Sequence, residues 1–274
     1  MGTLSDLFDG FEIWFDGIKA EFILNFVADN RWKYLTTGLY NTLKITLAAV
    51  VIGVVIGIVI AIVRSTYDKT IADLHRGPGR SLLSLLNWIC KLYLTVIRGT
   101  PVVVQLMIMY YIIFAASNNG VVVAIMAFGI NSGAYVAEII RGGIMSVDNG
   151  QFEAGRSLGF NFVQTMRYII IPQALKNVLP SLANEFIVLL KETSVAGYVA
   201  VRDLTKGADI IRGRTYSPFM PLIAIALVYL ILVIFFTWLV GRLERRLRES
   251  DGRAVRIRAT ARGTRVKEAD GNEW

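Results

Sequence analysis

Apolar runs of about twenty residues recur along this chain, and no other feature limits its fold so strongly. A helix needs about 20 mostly apolar residues to cross a bilayer, and in lipid the backbone must satisfy its own hydrogen bonds. Residues 40–63, 121–140 and 220–240 meet that length. Residues 182–201 meet it with a heavy polar load. Residues 102–116 alone are rather short, so the reading places Arg98 at the cytoplasmic edge, a span over 98–116, and the preceding 82–97 partly in the interface. The sequence thus predicts an all-α polytopic membrane protein with five transmembrane helices. The composition agrees, with 54% hydrophobic residues and a mean hydropathy of +0.53.

Outside the runs the chain divides simply. Residues 1–39 form an extracytoplasmic N-terminal segment, 40–240 the membrane domain and 241–274 a basic tail, expected to be disordered beyond about Arg248. Within the first segment Leu4, Leu7, Phe8, Phe11, Trp14, Phe15, Ile18, Phe22 and Phe26 recur at spacings of three and four. That is an amphipathic helix. It either lies along the membrane surface or packs on the protein's own helices. Gly53/Gly57 and Gly129/Gly133 are small-xxx-small pairs, which permit close helix packing. Lysine and arginine number nineteen in 64–91, 141–180 and the tail, against seven in 1–39 and 202–219. The positive-inside rule then puts the N-terminus outside and the C-terminus in the cytoplasm of the cell membrane. The four basic residues of 202–219, read as an outer loop, run against that count. The net charge of +8 is explained by this orientation and implies no nucleic acid.

Residues 141–180 form the longest polar-rich segment between two spans. A helical pattern over 151–158 ends at Gly159, a natural left-handed stop. A second begins at Asn161, a good N-cap, and runs to Ile171 before Pro172, with Phe162, Met166 and Ile169 on its apolar side. Such a capped double helix on the cytoplasmic face is built to dock into something.

The spacing resembles the EAA loop of permease subunits of ABC transporters: Glu153-Ala154-Gly155, then Gly159, then Ile169-Ile170-Ile171-Pro172. Gly155 stands where that pattern has alanine and Ile171 where it has leucine. The stretches RGTPVVVQL, NSGAYVAEIIRGGI and LLKETS resemble the polar amino-acid uptake group, the histidine, glutamine and arginine type. The resemblance implies a bacterial inner-membrane importer subunit working by alternating access. Its coupling helix would engage ABC ATP-binding subunits through Glu153, Ala154, Gly155, Gly159 and Pro172. It implies a second permease subunit, identical or similar, an extracytoplasmic substrate-binding protein and a polar amino acid as cargo, with membrane lipid around the spans. ATP and magnesium would be used by the partner, and no cofactor by this chain.

Within the spans, charged residues are costly and usually face a bundle interior or a water-filled path. Asn184, Lys191, Glu192, Thr193, Ser194 and Asn131 are the candidates for translocation or substrate contact; an internal ion-pair or helix-contact network is the other reading of these groups. Glu185 is placed toward the cytoplasmic end. Arg98, Gly99, Thr100, Pro101, Gln105 and Glu138 are structural or gating candidates, and Glu138 is expected to pair with Arg141 or Arg98. There is no Gly-x-x-x-x-Gly-Lys-[Ser/Thr] phosphate cradle, a single histidine (His75) and a single cysteine (Cys90), so neither ATP hydrolysis, a Ser/His/Asp site nor an internal disulfide is expected of this chain. An ion-coupled secondary amino-acid transporter is the alternative function, though more spans or an internal repeat would be expected of one.

Overall fold

The computed structural model describes residues 4–72 and 74–270, with side chains for 11–72 and 74–246. Among these residues every regular element is helical. Helix α1, Leu4–Phe22, leads through a π turn, Ile23–Val27, into a tight turn in which Asp29 and Asn30 take positive φ. Buried Asn25 anchors that corner: it accepts from the Thr215 hydroxyl at 2.8 Å and donates to the Glu21 carbonyl at 2.9 Å. Phe11, Ile13, Trp14 and Phe15 of α1 are exposed and do not pack on the protein's own helices.

Helix α2, Trp32–Thr70, is longer than the expected 40–63 span. At 1.5 Å per residue it runs about 58 Å, roughly twice a bilayer's hydrocarbon core. A loop is expected to open at 64. Residues 64–70 contain neither glycine nor proline, however, so the helix carries Arg64 and Lys69 outward on its last turns. Helix α5, Gly120–Met145, lies parallel against α2. The two glycine pairs face one another. A Cβ on Gly53 would stand 2.8 Å from Ser132 Oγ, and one on Gly133 2.8 Å from Ile56 Cγ2. Only glycine permits this approach, which places Ser132 and Val136 directly on α2.

The helix boundary expected at 98 falls at Gly99–Val102. Helix α3, Pro78–Gly99, is itself long and apolar enough to cross a membrane, while α4, Val102–Ile108, with its π turn Met109–Ile113, is only a short continuation. The Tyr93 hydroxyl donates to the Ile130 carbonyl, Leu106 packs with Ala124 and Phe128, and Tyr110 lies against Gly120. From Leu106 to Tyr110 the contacts run toward the start of α5, so α4 is antiparallel to it, while Tyr93 and Arg98 of α3 meet Ile130 and Tyr135. The break at Gly99–Pro101 lies opposite Asn131, eleven residues from the start of α5 and about 17 Å along a helix about 39 Å long. Arg98, just before that break, lies over the Tyr135 ring and lines a groove with Arg64, Lys91 and Glu138.

Short helices α6, Asn149–Ser157, and α7, Phe162–Thr165, follow, then a π turn, Met166–Ile170, and α8, Ile171–Glu192. Pro172 does not stop a helix, as expected of it; it sits in the first turn of α8, where its missing N–H costs nothing. The helix expected over 182–201 thus begins at 171 and ends at Glu192, and Thr193–Val199 is a 3-10 turn. The 202–219 loop contains a helix, α9, Leu204–Thr215, capped by the Asp203 carboxylate, which accepts from Lys206 N at 2.9 Å. Leu204 and Ala208 bury against Leu35, Leu39 and Ile225. Helix α10, Phe219–Asp270, contains the last span. The tail expected to be disordered is helical backbone as far as Asp270; its side chains from 247 and residues 271–274 lie outside the described set.

Among the described residues four helices, α2, α3, α5 and α10, are long and apolar enough to cross a membrane, and α8 packs with α5 and α10 as a further rod.

Candidate functional site

The knob formed by residues 148–170 is built almost wholly from local chemistry. The Asp148 side chain caps α6 by accepting from Gly150 N at 2.6 Å. Gly159 takes φ +77°, and beyond it the Phe160 amide donates back to the Gly155 carbonyl at 3.0 Å. That closes the helix end as a left-handed glycine cap does. Asn161 and Gln164 then bond reciprocally, at 2.9 and 3.0 Å, to start α7 as a capping box. Gly155 is buried, and a Cβ there would stand 2.7 Å from the buried Thr165 side chain. The glycine standing in place of alanine is thus matched by close packing of α6 on α7.

The knob is fixed to three rods. Phe152 packs with Ile144 and Val147 at the end of α5 and with Ile170 and Ala174 at the start of α8. The end of α2 reaches it through Lys69, whose Nζ donates to Asn149 Oδ1 at 2.7 Å and lies 4.4 Å from the Phe152 ring centroid. A groove of about 480 Å³ between α2 and the knob is lined by Lys69, Phe152, Glu153, Arg156 and Thr165 among others. Its far side is unpartnered: Leu158 and Val163 are 70% exposed and Tyr168 62%, with Glu153 and Ala154 also exposed. Isolated exposed leucines mean little, but an apolar tip on a rigid, capped support is a docking surface.

At mid-depth the structure joins residues to which the sequence assigns different roles. Gln105 Nε2 donates to the Ile97 carbonyl at 2.7 Å and to the Thr100 carbonyl and hydroxyl at 3.1 and 2.8 Å. Its Oε1 accepts from Asn131 Nδ2 at 2.9 Å. This amide satisfies the carbonyls left open at the Gly99–Pro101 break. Asn131, 2% exposed, serves that break and is not open to a pathway.

Two turns farther along α5, Glu138 bonds Arg141 at 3.1 Å and Arg64 at 3.4 Å, and Arg141 reaches Asp68 at 3.4 Å. The expected pairing with Arg141 is present; Arg98 instead stacks over Tyr135, 5.6 Å from its centroid.

On α8, Ser181, Asn184 and Lys191 form an exposed polar side. Lipid does not tolerate such a stripe, so it faces water or protein. Glu185, on the adjoining side, accepts from Ser132 Oγ at 3.3 Å. It is therefore at the level of the α3–α4 break and not at the cytoplasmic end, which the sequence alone gives no means of seeing. Glu192 lies two turns farther out, Thr193 is buried with its hydroxyl on the Leu190 carbonyl, and Ser194 lines an outer groove of about 380 Å³ with Lys206, Asp209 and Arg212. Asp209 pairs with Lys206 at 2.8 Å and Arg212 at 2.5 Å. One carboxylate thus pairs with two of the four basic residues of 202–219, and the excess of positive charge there remains. Among the described residues no cluster of His, Cys, Asp and Glu is arranged to hold a metal.

Residues 77–249 match the family described as binding-protein-dependent transport system inner membrane component. The chain is 38% identical over 167 residues to the arginine transport system permease protein ArtQ of Bacillus subtilis, covering 60% of this chain and 76% of that one. It is 38% identical over 169 residues to the glutamine transport system permease protein GlnP of Escherichia coli, covering 60% and 77%. A solved amino acid ABC transporter with histidines is 41% identical, with a TM-score of 0.70 over 81% of this chain and 98% of that chain. The methionine transporter MetNI, in an inward-facing conformation, shares the fold at 18% identity, with a TM-score of 0.65 over 79% of this chain and 97% of that chain.

Proposed function

This chain belongs to the family of binding-protein-dependent transport system inner membrane components, and we propose that it is the permease subunit of an ATP-driven importer for a polar amino acid. Membership makes it a multi-pass transport permease of the inner membrane. The arginine and glutamine permeases among its relatives support the amino-acid reading.

The single observation that carries the mechanism is the knob. Its apolar tip is held out by two opposed helix caps, and its base is packed on α2, α5 and α8. A separate ATP-binding subunit, supplying ATP and magnesium chemistry, docks on Leu158, Val163 and the exposed side of α6. Its closure moves the knob, and the packed Phe152 cluster passes that displacement to the rods. Such coupling requires contacts that differ between two states, and a rigid lever supplies them better than a loop. The pathway opens outward to accept cargo from an extracytoplasmic binding protein, then inward after hydrolysis.

The polar side of α8 lies toward a second permease copy or homologue, with the cargo passing between them. Glu185, beside Ser132 at mid-depth, is a seat for an ammonium group; Glu192, Asn184, Lys191 and Ser194 line the way to it. The orientation, with the knob and tail in the cytoplasm, follows from the charge count.

The test is co-purification of the chain with its ATP-binding subunit, followed by ATPase assay with binding protein and individual amino acids. Hydrolysis stimulated by one polar amino acid is expected. Hydrolysis indifferent to every amino acid, in a complex that forms normally, overturns the cargo assignment.

A further inference from the structure

We propose that the groove between α8 and α10 holds one anionic phospholipid of the leaflet on the C-terminal side. The groove encloses about 440 Å³ and is lined by Ala183, Phe186, Phe236, Leu239, Val240 and Leu243, with Arg242 and Arg246 at one end. Its wall is almost wholly apolar. The floor is a pair of edge-to-face rings, Phe186 on Phe236, with centroids 4.8 Å apart. Phe186 follows Glu185, the residue bonded to Ser132 at mid-membrane depth.

Depth selects the occupant. Arg242 and Arg246 are six and ten residues beyond Phe236 on α10, so they stand about 9 and 15 Å toward the tail. Half the hydrocarbon core is about 15 Å. The ring pair is thus near acyl-chain termini, and Arg246 is at headgroup level with Arg242 reaching up to it. The two arginines are one turn apart on the same side of the helix, and both are exposed. Arg242 is steadied over the Trp238 ring, 4.1 Å from its centroid. Glu244 falls on the opposite side of α10 and does not line the groove. A long apolar slot ending in two guanidinium groups at the interface is complementary to an acyl chain under a phosphate of net negative charge. A neutral headgroup satisfies only the first half of that description.

The proposal rests on the membrane depth of α10 and not on the cargo, so it stands or falls separately from the transport assignment.

The experiment is native mass spectrometry of the intact purified complex, titrated with dioleoyl phosphatidylglycerol or dioleoyl phosphatidylcholine. Wild-type complex is expected to hold one phosphatidylglycerol per copy of this chain at concentrations where phosphatidylcholine is released. Arg242→Gln is expected to weaken retention about fivefold, and Arg242→Gln with Arg246→Gln about thirtyfold. Leu239→Trp, which fills the slot, is expected to abolish it with both arginines intact. Equal retention of the two lipids by wild type, or undiminished phosphatidylglycerol binding in the double variant, overturns the proposal. So does an efficient disulfide between two copies of a Cys90→Ser, Leu239→Cys variant, which would show a second permease seated on the groove.

Discussion

Replacing Gly159 by valine tests the lever most sharply, because the structure separates conformation from sterics there. The residue has φ +77°, yet a Cβ built on it meets nothing within 4 Å. The whole cost is therefore backbone strain, about 1–2 kcal/mol for an L-residue held in the left-handed region, and more for a β-branched one. What stands to be lost is the Phe160-to-Gly155 bond that closes α6 and the junction to the Asn161–Gln164 box. If the strain is relieved by opening this cap, the docked geometry becomes about 5- to 30-fold rarer. Amino-acid-stimulated ATPase activity and uptake in vesicles are expected to fall together by at least that factor. Yield, membrane insertion and melting of the spans should not change, since Gly159 touches none of them. The control is Gly159→Asn, because asparagine tolerates this conformation; that variant should retain most coupling. Valine with wild-type coupling, or valine and asparagine equally impaired, would refute the argument.

Four further outcomes follow from the same contacts. Gly155→Ala should weaken coupling by forcing Thr165 away, and Thr165→Ala in addition should restore it, as read by stimulated ATPase activity. Gln105→Leu leaves the Ile97 and Thr100 carbonyls and the Asn131 amide without their partner, so a thermal melt in detergent should show a loss of about 1–3 kcal/mol. Glu185→Gln should raise the apparent KM for the cargo amino acid while basal ATPase activity is retained; an unchanged KM would remove Glu185 from the cargo site. At the outer corner, burial pushes the Asp203 carboxyl up to about 6, and its Oδ2 has no partner. The folded state then binds a proton that the unfolded chain has already lost, so stability should fall as pH rises from about 4 to about 6. Asp203→Asn keeps a good helix cap and should flatten that dependence in melts across this range.

How much can be read in advance depends on how local the determinant is. Gly159 and Asn161 act through bonds within three or four residues, and the structure carries both caps where the sequence places them. The two glycine pairs are legible as packing signals, but that they pack on each other is tertiary information. Helix α9 escapes the sequence reading although Asp203 is a good cap and Leu204, Ala208 and Ile211 repeat at helical spacing; its polar content conceals it. Pro172 reads as a stop because a proline disfavours helix in the residue before it, yet the preceding π turn feeds it into a first turn. Depth is the least legible quantity. Linear distance from apolar runs puts Glu185 at the cytoplasmic end, while register against α5 sets it beside Ser132. Asn131 reads as pathway-facing because polar groups in spans usually are. Gln105, twenty-six residues earlier, is what uses it.

The claim beneath all of this is that motion made in another subunit enters through α6 and α7. Uptake of labelled amino acid into vesicles, by the chain alone and by the chain with its ATP-binding subunit and binding protein, measures it directly. The account predicts accumulation only when that subunit, magnesium and ATP are present together, and a rate at least about fivefold lower when Gly159 is replaced by valine. Accumulation at the full rate by the chain alone, driven by an ion gradient, would contradict it.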